Sequence, residues 1–551
     1  KKYIISYNGE IYNYLELRKE LNKEGITFKS NSDTEVILNG FIKWKHKILD
    51  KLNGMFAFAI LDKNKNNIFL ARDRYGIKPL YYTMANNCFI FASEIKSFFK
   101  HPEFKKELEK QSLFEYFTFQ NFFSDNTLFK NVFSILPGHY FYISNKRIIK
   151  KEYWDFSFDE PVKKQKDYDS ILNTTLKNAV RRQHVSDVEI GCYLSGGMDS
   201  GTITSISSNY FKKLKTFTIG YDKYSNSGLE TVPDERDLAE LMSYVFKTEH
   251  YEMVLKAGDM EQCMKDLIWH LEVPRVGQSY PNYYASKLAS KFCKVVLTGT
   301  GGDELFAGYP WRYYRAVVNE NFNNYCKKYF KFWKRMIPDE SYKKIFSPIN
   351  NYQNNSYELF EGVLKKYKSK KLHPKDYVNL SLYLEAKTFL VGLLEIEDKL
   401  AMSHGLESRV PFLDNDLVEL STQIPVSLKL GNLQTIIELN ENDPGIKTEK
   451  YFQKTNDGKL ILRKIMKNYI PAEITQGIKT GFVAPDAKWF KGESIEYVKK
   501  KLLKKNSQIF EFLDREEIHK LVNHHLDGKE NRRLLIWSLL CFDEWIDVFL
   551  N

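Results

Sequence analysis

The sequence contains few cysteines and no apolar run long enough to span a membrane. Its six cysteines among 551 residues are scattered without C-x-x-C spacing, which fits a reducing cytoplasm. Residues 534–542 form the longest apolar stretch near the C-terminus, and acidic residues follow it closely. We therefore predict a buried helix there rather than a membrane span. The chain opens on Lys1 and Lys2 without the apolar region of a signal peptide.

The positive charge has no concentrated block. The formal net charge is +12, but 70 acidic residues are interspersed among the 82 lysines and arginines along the chain. This distribution predicts a solvated surface rather than a nucleic-acid-binding face, and nothing indicates a membrane partner. A hydrophobic content of 43% is ample for buried cores.

The usual phosphate loop G-x-x-x-x-G-K-[ST] is absent, and a different glycine loop stands in its place. Ser195-Gly196-Gly197-Met198-Asp199-Ser200 follows the apolar run 188–194 and precedes a helix-compatible stretch. Glycines let the backbone approach an anion, while serine hydroxyls and helix-start N–H groups donate to phosphate oxygens. Asp199 has the carboxylate needed to hold magnesium against such oxygens. S-G-G-x-D-S resembles the pyrophosphate loop of ATP pyrophosphatases.

The loop lies in a region where predicted strands and helices alternate. We predict strands at 188–194, 216–221, 250–254 and 293–299, with helices at 235–246 and 260–271. Such alternation is typical of a parallel, doubly wound sheet, which binds ligands at the carboxyl ends of its strands. After Tyr309 we expect no further strands. Apolar residues at three- and four-residue steps predict an amphipathic helix over 314–336.

The first 154 residues have a different pattern. Helices are predicted at 14–24 and 33–44, a hairpin at 55–62 and 67–73, and a strand at 88–93 in which Cys88 packs inertly. Residues 155–167, with Pro161 and several lysines, are the best linker candidate.

Three further segments carry polar groups suited to nucleotide chemistry. Thr298-Gly299-Thr300-Gly301-Gly302-Asp303 also follows an apolar strand, so Asp303 is expected to share the magnesium ion with Asp199. Glu407 lies in a charged segment near Val410-Pro411-Phe412-Leu413, and Lys479 follows later. A glutamate beside ATP can orient a nucleophile, and a lysine can neutralise charge on the α phosphate, although either residue alone is as often a surface ion-pair partner.

Five motifs together resemble the glutamine-hydrolysing asparagine synthetase family. They are Asn8-Gly9-Glu10-Ile11-Tyr12-Asn13, Gly54-Met55-Phe56-Ala57-Phe58, Arg72 to Tyr81, Ser195 to Ser200, and Glu407 to Asp414. The resemblance implies an α/β fold in two parts. Residues 1–154 would form an N-terminal-nucleophile glutaminase, an α/β/β/α sandwich truncated at its start. Residues 155–551 would form a doubly wound ATP-pyrophosphatase domain with a helical insertion at about 310–395 and a helical C-terminal extension.

The resemblance also implies site residues, with ATP and Mg²⁺ as cofactors. Glutamine would be bound by Asn8, Gly9, Glu10 and Asp33. The nucleotide and its pyrophosphate would be bound by Leu194, Ser195, Gly196, Gly197, Asp199, Ser200, Ile219, Thr298 and Gly299, and the metal by Asp199 and Asp303. Lys479, Glu407 and Thr300 are the catalytic candidates. The implied reaction amidates aspartate to asparagine through an acyl-adenylate, with glutamine-derived ammonia and release of AMP and pyrophosphate. A homodimer is left open.

Two positions depart from the family pattern. The family's glutaminase uses a cysteine at the mature N-terminus, whereas this chain begins at Lys1 and its first cysteine is Cys88. We therefore expect the sequence to be incomplete at its start, and the chain as given to use ammonium, although glutamine would be the native nitrogen source. The second glycine loop usually carries a glutamate where this chain has Thr300, and related β-lactam synthetases pair a tyrosine there with a glutamate of the segment matching Glu407.

The threonine leaves alternatives open for the acceptor. A sugar acid of a surface polysaccharide or a β-lactam-type cyclisation would use the same chemistry. A tRNA-modifying enzyme or a scaffold without catalytic activity is a weaker alternative, because the chain shows no catalytic cysteine pair and retains Ser195, Asp199, Asp303 and Lys479.

Overall fold

The computed structural model describes most of the chain. The described residues are 2–144, 147–158, 167–222, 235–275, 277, 279–313, 319, 321–368, 372–432, 457–477 and 489–551. Most of the predicted linker, residues 159–166, lies outside them, as does Lys479.

The N-terminal part consists of two antiparallel sheets and helices. The strands are β1 (Tyr3–Ile11), β2 (Gly54–Asp62), β3 (Asn67–Arg72), β4 (Tyr81–Ala85), β5 (Cys88–Ala92), β6 (Val132–Ser134), β7 (His139–Ser144) and β8 (Arg147–Glu152). The helices are α1 (Tyr14–Lys23), α2 (Asp33–Trp44), α3 (Ile48–Lys51) and α4 (Lys110–Phe119). The larger sheet has the order β1-β2-β3-β7-β8, and the smaller has the order β5-β4-β6.

The alternation of side chains along β2 explains the layers. Phe56 and Phe58 pack with Leu17 and Phe41 of the helices on one face of the larger sheet. Ala57, between them in sequence, packs with the smaller sheet on the opposite face. Successive strand residues point to opposite faces, so one strand contributes to both cores. The predicted hairpin and both predicted helices are confirmed within one or two residues.

The second part is built on a parallel sheet. Its strands are β9 (Ile190–Tyr193), β10 (Lys215–Tyr221), β11 (Glu249–Leu255), β12 (Val295–Leu297) and β13 (Glu407–Arg409). They form one sheet in the order β11-β10-β9-β12-β13, and every neighbouring pair is parallel. The doubly wound arrangement is therefore confirmed.

Helices cover this sheet and continue beyond it. They are α5 (Tyr168–Arg182), α6 (Met198–Ser207), α7 (Arg236–Phe246), α8 (Ala257–Leu271), α9 (Tyr280–Ala289), α10 (Gly302–Leu305), α11 (Pro310–Tyr313), α12 (Phe322–Trp333), α13 (Asp339–Ile345), α14 (Ser356–Leu364), α15 (Pro374–Lys387), α16 (Phe389–Met402), α17 (Asn415–Gln423), α18 (Val426–Lys429), α19 (Leu460–Met466), α20 (Ala472–Thr475), α21 (Ile495–Leu502), α22 (Arg515–Leu526) and α23 (Arg533–Phe549). Residues 314–318, the start of the predicted amphipathic helix, lie outside the described residues, and α12 ends at Trp333.

Two expectations from the sequence are wrong. Strands do not stop at Tyr309, because β13 adds a fifth strand that pairs with β12 through Val295 and Glu407. A three-residue strand is too short to show a period in the sequence. Cys88 is exposed rather than packed, because it begins β5 opposite Ala85 directly after the turn of a hairpin.

The apolar C-terminal stretch is a buried helix, as predicted. It lies within α23, where Trp537 and Trp545 are almost completely inaccessible to solvent. Among the described residues, no helix has both the length and the apolar character that crossing a membrane requires.

Candidate active site

The order of the parallel strands creates a crevice between β9 and β12. From β9 the chain continues to β10 on one side, whereas β12 lies on the other side of β9. The connections that leave the carboxyl ends of β9 and β12 therefore diverge, which opens a ligand crevice at that edge of the sheet. Both glycine loops predicted from the sequence begin at this edge.

The first loop is held by hydrogen bonds among its own polar groups. The hydroxyl oxygens of Ser195 and Ser200 lie 3.0 Å apart, and the Ser195 N–H donates to Ser200 Oγ over 3.1 Å. Gly197 N–H donates to Ser195 Oγ over 3.2 Å, directly before the start of α6. Two hydroxyls and the first N–H groups of a ten-residue helix thus lie together, the arrangement that favours a phosphate group.

The second loop packs directly on the first, and glycine is required for this contact. A Cβ on Gly299 would lie 2.7 Å from the Ser200 backbone nitrogen, and one on Gly302 would lie 2.6 Å from Asp199 Cγ. Real side chains do not tolerate such distances, so only glycine permits this approach of the two loops. As predicted, the structure brings Asp199 and Asp303 to one place.

Asp199 and Asp303 share a buried lysine that the sequence analysis did not identify. Lys459 Nζ lies 2.5 Å from Asp199 Oδ2 and also forms an ion pair with Asp303 Oδ1. The Lys459 side chain is 5% exposed, and the two aspartate side chains are 12% and 13% exposed. Lys459 is more than 150 residues from Asp199 and from Asp303 in the sequence, so no local sequence pattern could have revealed the contact.

Thr300 has a glutamate partner from α16. Its hydroxyl donates to Glu397 Oε2 over 2.5 Å, and Ser408 donates to the other carboxylate oxygen over 2.6 Å. Burial raises the pKa of Glu397, although hydrogen bonds from Ser408 and Thr300 oppose the shift. Thr300 is half-buried, whereas Glu397 is buried.

The predicted glutamine-binding residues cluster on β1 and the start of α2. Asp33 Oδ2 accepts hydrogen bonds from Tyr7 Oη at 2.8 Å and from the Ile11 N–H at 3.1 Å, which fixes α2 against the strand. Asn8 donates to Ser93 Oγ over 3.1 Å, and Gly9 pairs with Phe56 of β2.

Within this cluster, Glu10 lies in an environment that changes the pKa of its carboxyl group. Burial raises its pKa from 4.5 to about 7, against the attraction of Arg409 and with the repulsion of Asp33 and Glu407. The Glu10 carboxyl group therefore keeps its proton to a higher pH than an ordinary glutamate.

Comparison with known protein families agrees with this geometry. A family model described as asparagine synthase matches residues 172–547, and one described as a glutamine amidotransferase domain matches residues 1–154. The chain belongs to the asparagine synthase family. Glutamine-hydrolyzing asparagine synthetase 1 of Bacillus subtilis (strain 168) is 31% identical, over 98% of this chain and 85% of the relative. Its counterpart 3 from the same strain is 31% identical, over 94% and 82%. A putative glutamine-hydrolyzing asparagine synthetase of Mycobacterium bovis (strain ATCC BAA-935 / AF2122/97) is 27% identical, over 100% and 85%.

In this member of the asparagine synthase family, Glu407 does not lie beside Thr300. It opens β13 opposite Val295, at the amino end of the strand, and accepts a hydrogen bond from Arg409 Nε at 2.7 Å. Thr300 follows the carboxyl end of β12, so Glu407 belongs to the opposite edge of the sheet. The glutamate that meets Thr300 is Glu397 instead.

The remaining nucleotide-side candidates flank the first loop. Leu194 is fully buried, and its N–H donates to the Phe217 carbonyl of β10 over 2.9 Å. Ile219 is buried on β10, and the Thr298 N–H donates to the Arg409 carbonyl over 3.0 Å. Leu194 and Thr298 directly follow the carboxyl ends of β9 and β12, and Ile219 lies in the last part of β10.

Helix α16 joins the two parts of this asparagine synthase family member through buried ion pairs. Arg72 of β3 lies 3.0 Å from Glu395, and Lys78 lies 2.6 Å from Asp398. Burial alone would lower the pKa of Lys78, but the attraction of Asp398 and Glu407 and the hydrogen bond to Asp398 together outweigh burial and raise the pKa. Glu397, the partner of Thr300, lies between Glu395 and Asp398 on the same helix, so contacts with the N-terminal part help to fix its position.

Asp73 holds the backbone conformation of the motif Arg72 to Tyr81. The Asp73 carboxylate accepts hydrogen bonds from the N–H groups of Phe56, Tyr75, Ile77 and Lys78 at 2.9 to 3.2 Å. A buried carboxylate with this many donors fixes the loop backbone. Lys78 is thereby aimed at α16.

Proposed function

We propose that this protein is an ATP-dependent amidotransferase that converts aspartate to asparagine with glutamine as nitrogen donor. The acceptor carboxylate is activated as an acyl-adenylate, ammonia replaces AMP, and pyrophosphate is released. The contact between the two glycine loops carries the proposal, because it brings a phosphate-binding helix start and two carboxylates together at the switch point of the sheet. The relatives named as glutamine-hydrolyzing asparagine synthetases support aspartate as the acceptor.

The first loop binds the departing pyrophosphate. A carboxylate is a poor electrophile until its oxygen becomes part of a better leaving group, and adenylation achieves this. Hydroxyls of Ser195 and Ser200, with the N–H groups at Gly196 and Gly197, would stabilise charge that grows on the phosphates as the α–β bond breaks. Leu194, Ile219, Thr298 and Gly299 would contact the adenosine side.

Asp199 and Asp303 fit a magnesium ion shared with ATP. Their donors are carboxylate oxygens, and Mg²⁺ is commonly held by one or two carboxylates together with substrate phosphates. Within the described ranges, no group of three or more His, Cys, Asp or Glu side chains is arranged to hold a metal ion. Asp199 and Asp303 would be the metal ligands that the protein supplies. The ion would neutralise phosphate charge during adenylation.

Thr300 and Glu397 would act on the incoming ammonia. The Thr300 hydroxyl donates its only proton to Glu397, and the Thr298 hydroxyl lies 2.9 Å from the Thr300 oxygen, which leaves one lone pair for a further donor. Such an oxygen accepts an N–H of ammonia and orients the nitrogen toward the acyl carbon. Glu397, whose pKa is raised by burial, is placed to receive the proton that the amide nitrogen must lose. Lys479, which lies outside the described residues, would steady the adenylate.

The N-terminal cluster would hold glutamine. Asn8 and Gly9 present amide groups along β1, while Glu10 and Asp33 provide carboxyl groups for the substrate's α-amino group. None of the six cysteines forms a disulfide bond, and five of them are buried, which supports a reducing cytoplasm as the site of the reaction.

Pyrophosphate release from ATP tests the proposed function. The assay supplies ammonium, so that it reports on the second part of the chain alone, together with aspartate, glutamate or a uronic acid. Aspartate should support release, and asparagine should form in equal amount. If pyrophosphate were released with a uronic acid but not with aspartate, the uronic acid would replace aspartate as the proposed acceptor. If no carboxylate supported pyrophosphate release, the proposed ligase reaction would be wrong.

A further inference from the structure

We propose that the ammonium group of Lys459 is a built-in cation that occupies the magnesium position between Asp199 and Asp303 until magnesium enters with the nucleotide. The inference rests on the proposed function, because it concerns the residues toward which the nucleotide and its metal would bind. In the protein without nucleotide, Lys459 would offset the negative charge of Asp199 and Asp303.

The contacts of Lys459 support a role as a cation substitute. Its Nζ lies within hydrogen-bond distance of Asp199 and Asp303 at once. Two buried carboxylates would repel each other strongly without a cation, because charge is poorly screened away from water. An ammonium that contacts both carboxylates also occupies the space that a metal bound to both would need, since Mg²⁺ binds oxygen at about 2.0–2.1 Å.

The backbone around Lys459 is arranged to present this side chain. Lys459 has φ 58° and ψ 31°, the left-handed region that residues other than glycine seldom adopt. The conformation is fixed because the Lys459 N–H donates to the Phe306 carbonyl at 3.1 Å and its carbonyl accepts from Arg463 N–H at 2.8 Å. A strained residue held by its surroundings is often part of a functional site.

The neighbouring residues leave little space for two cations. A Cβ on Gly308 would lie 1.8 Å from Asp303 Oδ1 and 2.5 Å from Lys459 Cε, so the lysine stem and the carboxylate already fill this corner. Arg463, on the next turn, is directed elsewhere, because it donates to the carbonyls of Gly458, Thr475 and Gly477 at 2.7 to 2.9 Å.

The charges predict an exchange rather than joint occupancy. One ammonium offsets one of the two negative charges, whereas a divalent cation offsets both. Magnesium that binds without nucleotide must displace the Lys459 ammonium from both carboxylates, and the displaced ammonium then has no partner. Magnesium that arrives with ATP also brings phosphate oxygens, to which the released ammonium can donate. The free protein should therefore bind magnesium weakly, and nucleotide should strengthen the binding.

Thermal unfolding with rising MgCl₂ and without nucleotide tests this inference, with choline chloride to match the ionic strength. Lys459→Met removes the ammonium while keeping much of the stem. It should lower the unfolding temperature without metal, regain stability as magnesium is added, and bind magnesium roughly tenfold or more tightly than the unaltered protein. The unaltered protein should respond little. Lys464→Met is the matched control, because Lys464 lies on α19, the helix that directly follows Lys459, in an exposed pair with Asp169.

A second variant keeps the inference testable if Lys459→Met does not fold. Lys459→Gln retains an N–H donor to one carboxylate and should show the same gain in magnesium response. Equal magnesium responses in the unaltered protein and the Lys459 variants would overturn the inference, as would tight magnesium binding by the unaltered protein without nucleotide. Pyrophosphate release by the unaltered protein separates the two proposals. If that activity is absent while the Lys459 variants still respond to magnesium more strongly than the unaltered protein, only the proposed function fails.

Discussion

The Thr300 hydroxyl and the Glu397 carboxylate form a hydrogen bond of 2.5 Å across 97 residues of sequence. The second glycine loop and helix α16 therefore meet at the crevice where the nucleotide is proposed to bind. Glu407 is the acid that the sequence suggested for this site, but it lies at the other edge of the sheet, and the acid in contact with Thr300 is Glu397 of α16.

Thr300→Val should slow amidation without unfolding the protein. The change keeps the shape of the side chain and removes the hydroxyl that orients ammonia. A hydrogen bond to a charged group contributes about 1.5–3 kcal/mol, so ammonium-dependent pyrophosphate release should fall roughly ten- to hundredfold. Thr422→Val makes the same chemical change on α17, where the hydroxyl donates only to the Glu419 carbonyl, and should leave the rate unchanged. Equal rates for both variants would argue against a role for Thr300.

Gly302→Ala should impair the metal and pyrophosphate site. The added Cβ would lie 2.6 Å from Asp199 Cγ and must push that carboxylate away. Misplacement of a reacting group by about 1 Å can cost on the order of a hundredfold in rate. Gly362→Ala, on α14 with nothing within 4 Å of the new Cβ, should keep full activity. A Gly302→Ala protein with normal pyrophosphate release would contradict the close contact of the two loops.

Lys78→Met should destabilise the protein far more than loss of a surface ion pair. It leaves Asp398 buried without its cation, and breaking one side of a buried pair costs about 3–5 kcal/mol in the free energy of unfolding. Lys130→Met, which breaks an exposed pair with Glu107, should change the stability little, because water screens this pair. Denaturant unfolding compares the two variants. The double change Lys78→Met with Asp398→Leu should recover most of the loss, and a double variant no more stable than Lys78→Met would count against the pair.

Glu10→Gln should change how stability depends on pH. The folded protein retains the Glu10 proton between pH 4.5 and about 7, whereas the unfolded chain releases it in that range. The contribution of Glu10 to stability is therefore greatest below pH 4.5 and is lost as the pH rises through about 7. The unfolding temperature of Glu10→Gln should exceed that of the unaltered protein above this range, and the difference should shrink toward pH 4.5.

A matched carboxylate serves as the control for that measurement. Glu16→Gln removes an exposed acid from the first turn of α1 and should show no such trend. A constant difference between Glu10→Gln and the unaltered protein across the range would mean that Glu10 is not held in a protonation-sensitive environment. Glutamine should also bind less well to Glu10→Gln if the carboxylate contacts its α-amino group.

Local patterns were sufficient for several elements. Two apolar runs joined by the charged turn at residues 63–66 predict a hairpin, and β2 and β3 form one. Ser195 to Ser200 reads as strand, glycine turn and helix start, because each of those features depends on neighbouring residues. Short-range signals were less useful for β13, whose three residues are held by pairing with β12 rather than by their own pattern.

The amino-acid sequence by itself determined the two glycine loops, the alternating strands and helices, and the residue types suited to phosphate, because these depend on backbone freedom and on short-range periodicity. Only the tertiary structure decided that Glu397 rather than Glu407 meets Thr300, that Lys459 lies between Asp199 and Asp303, and that α16 is tied to Arg72 and Lys78. Those contacts join residues that are far apart in the chain. They form because buried charges must find partners once the cores around them have excluded water.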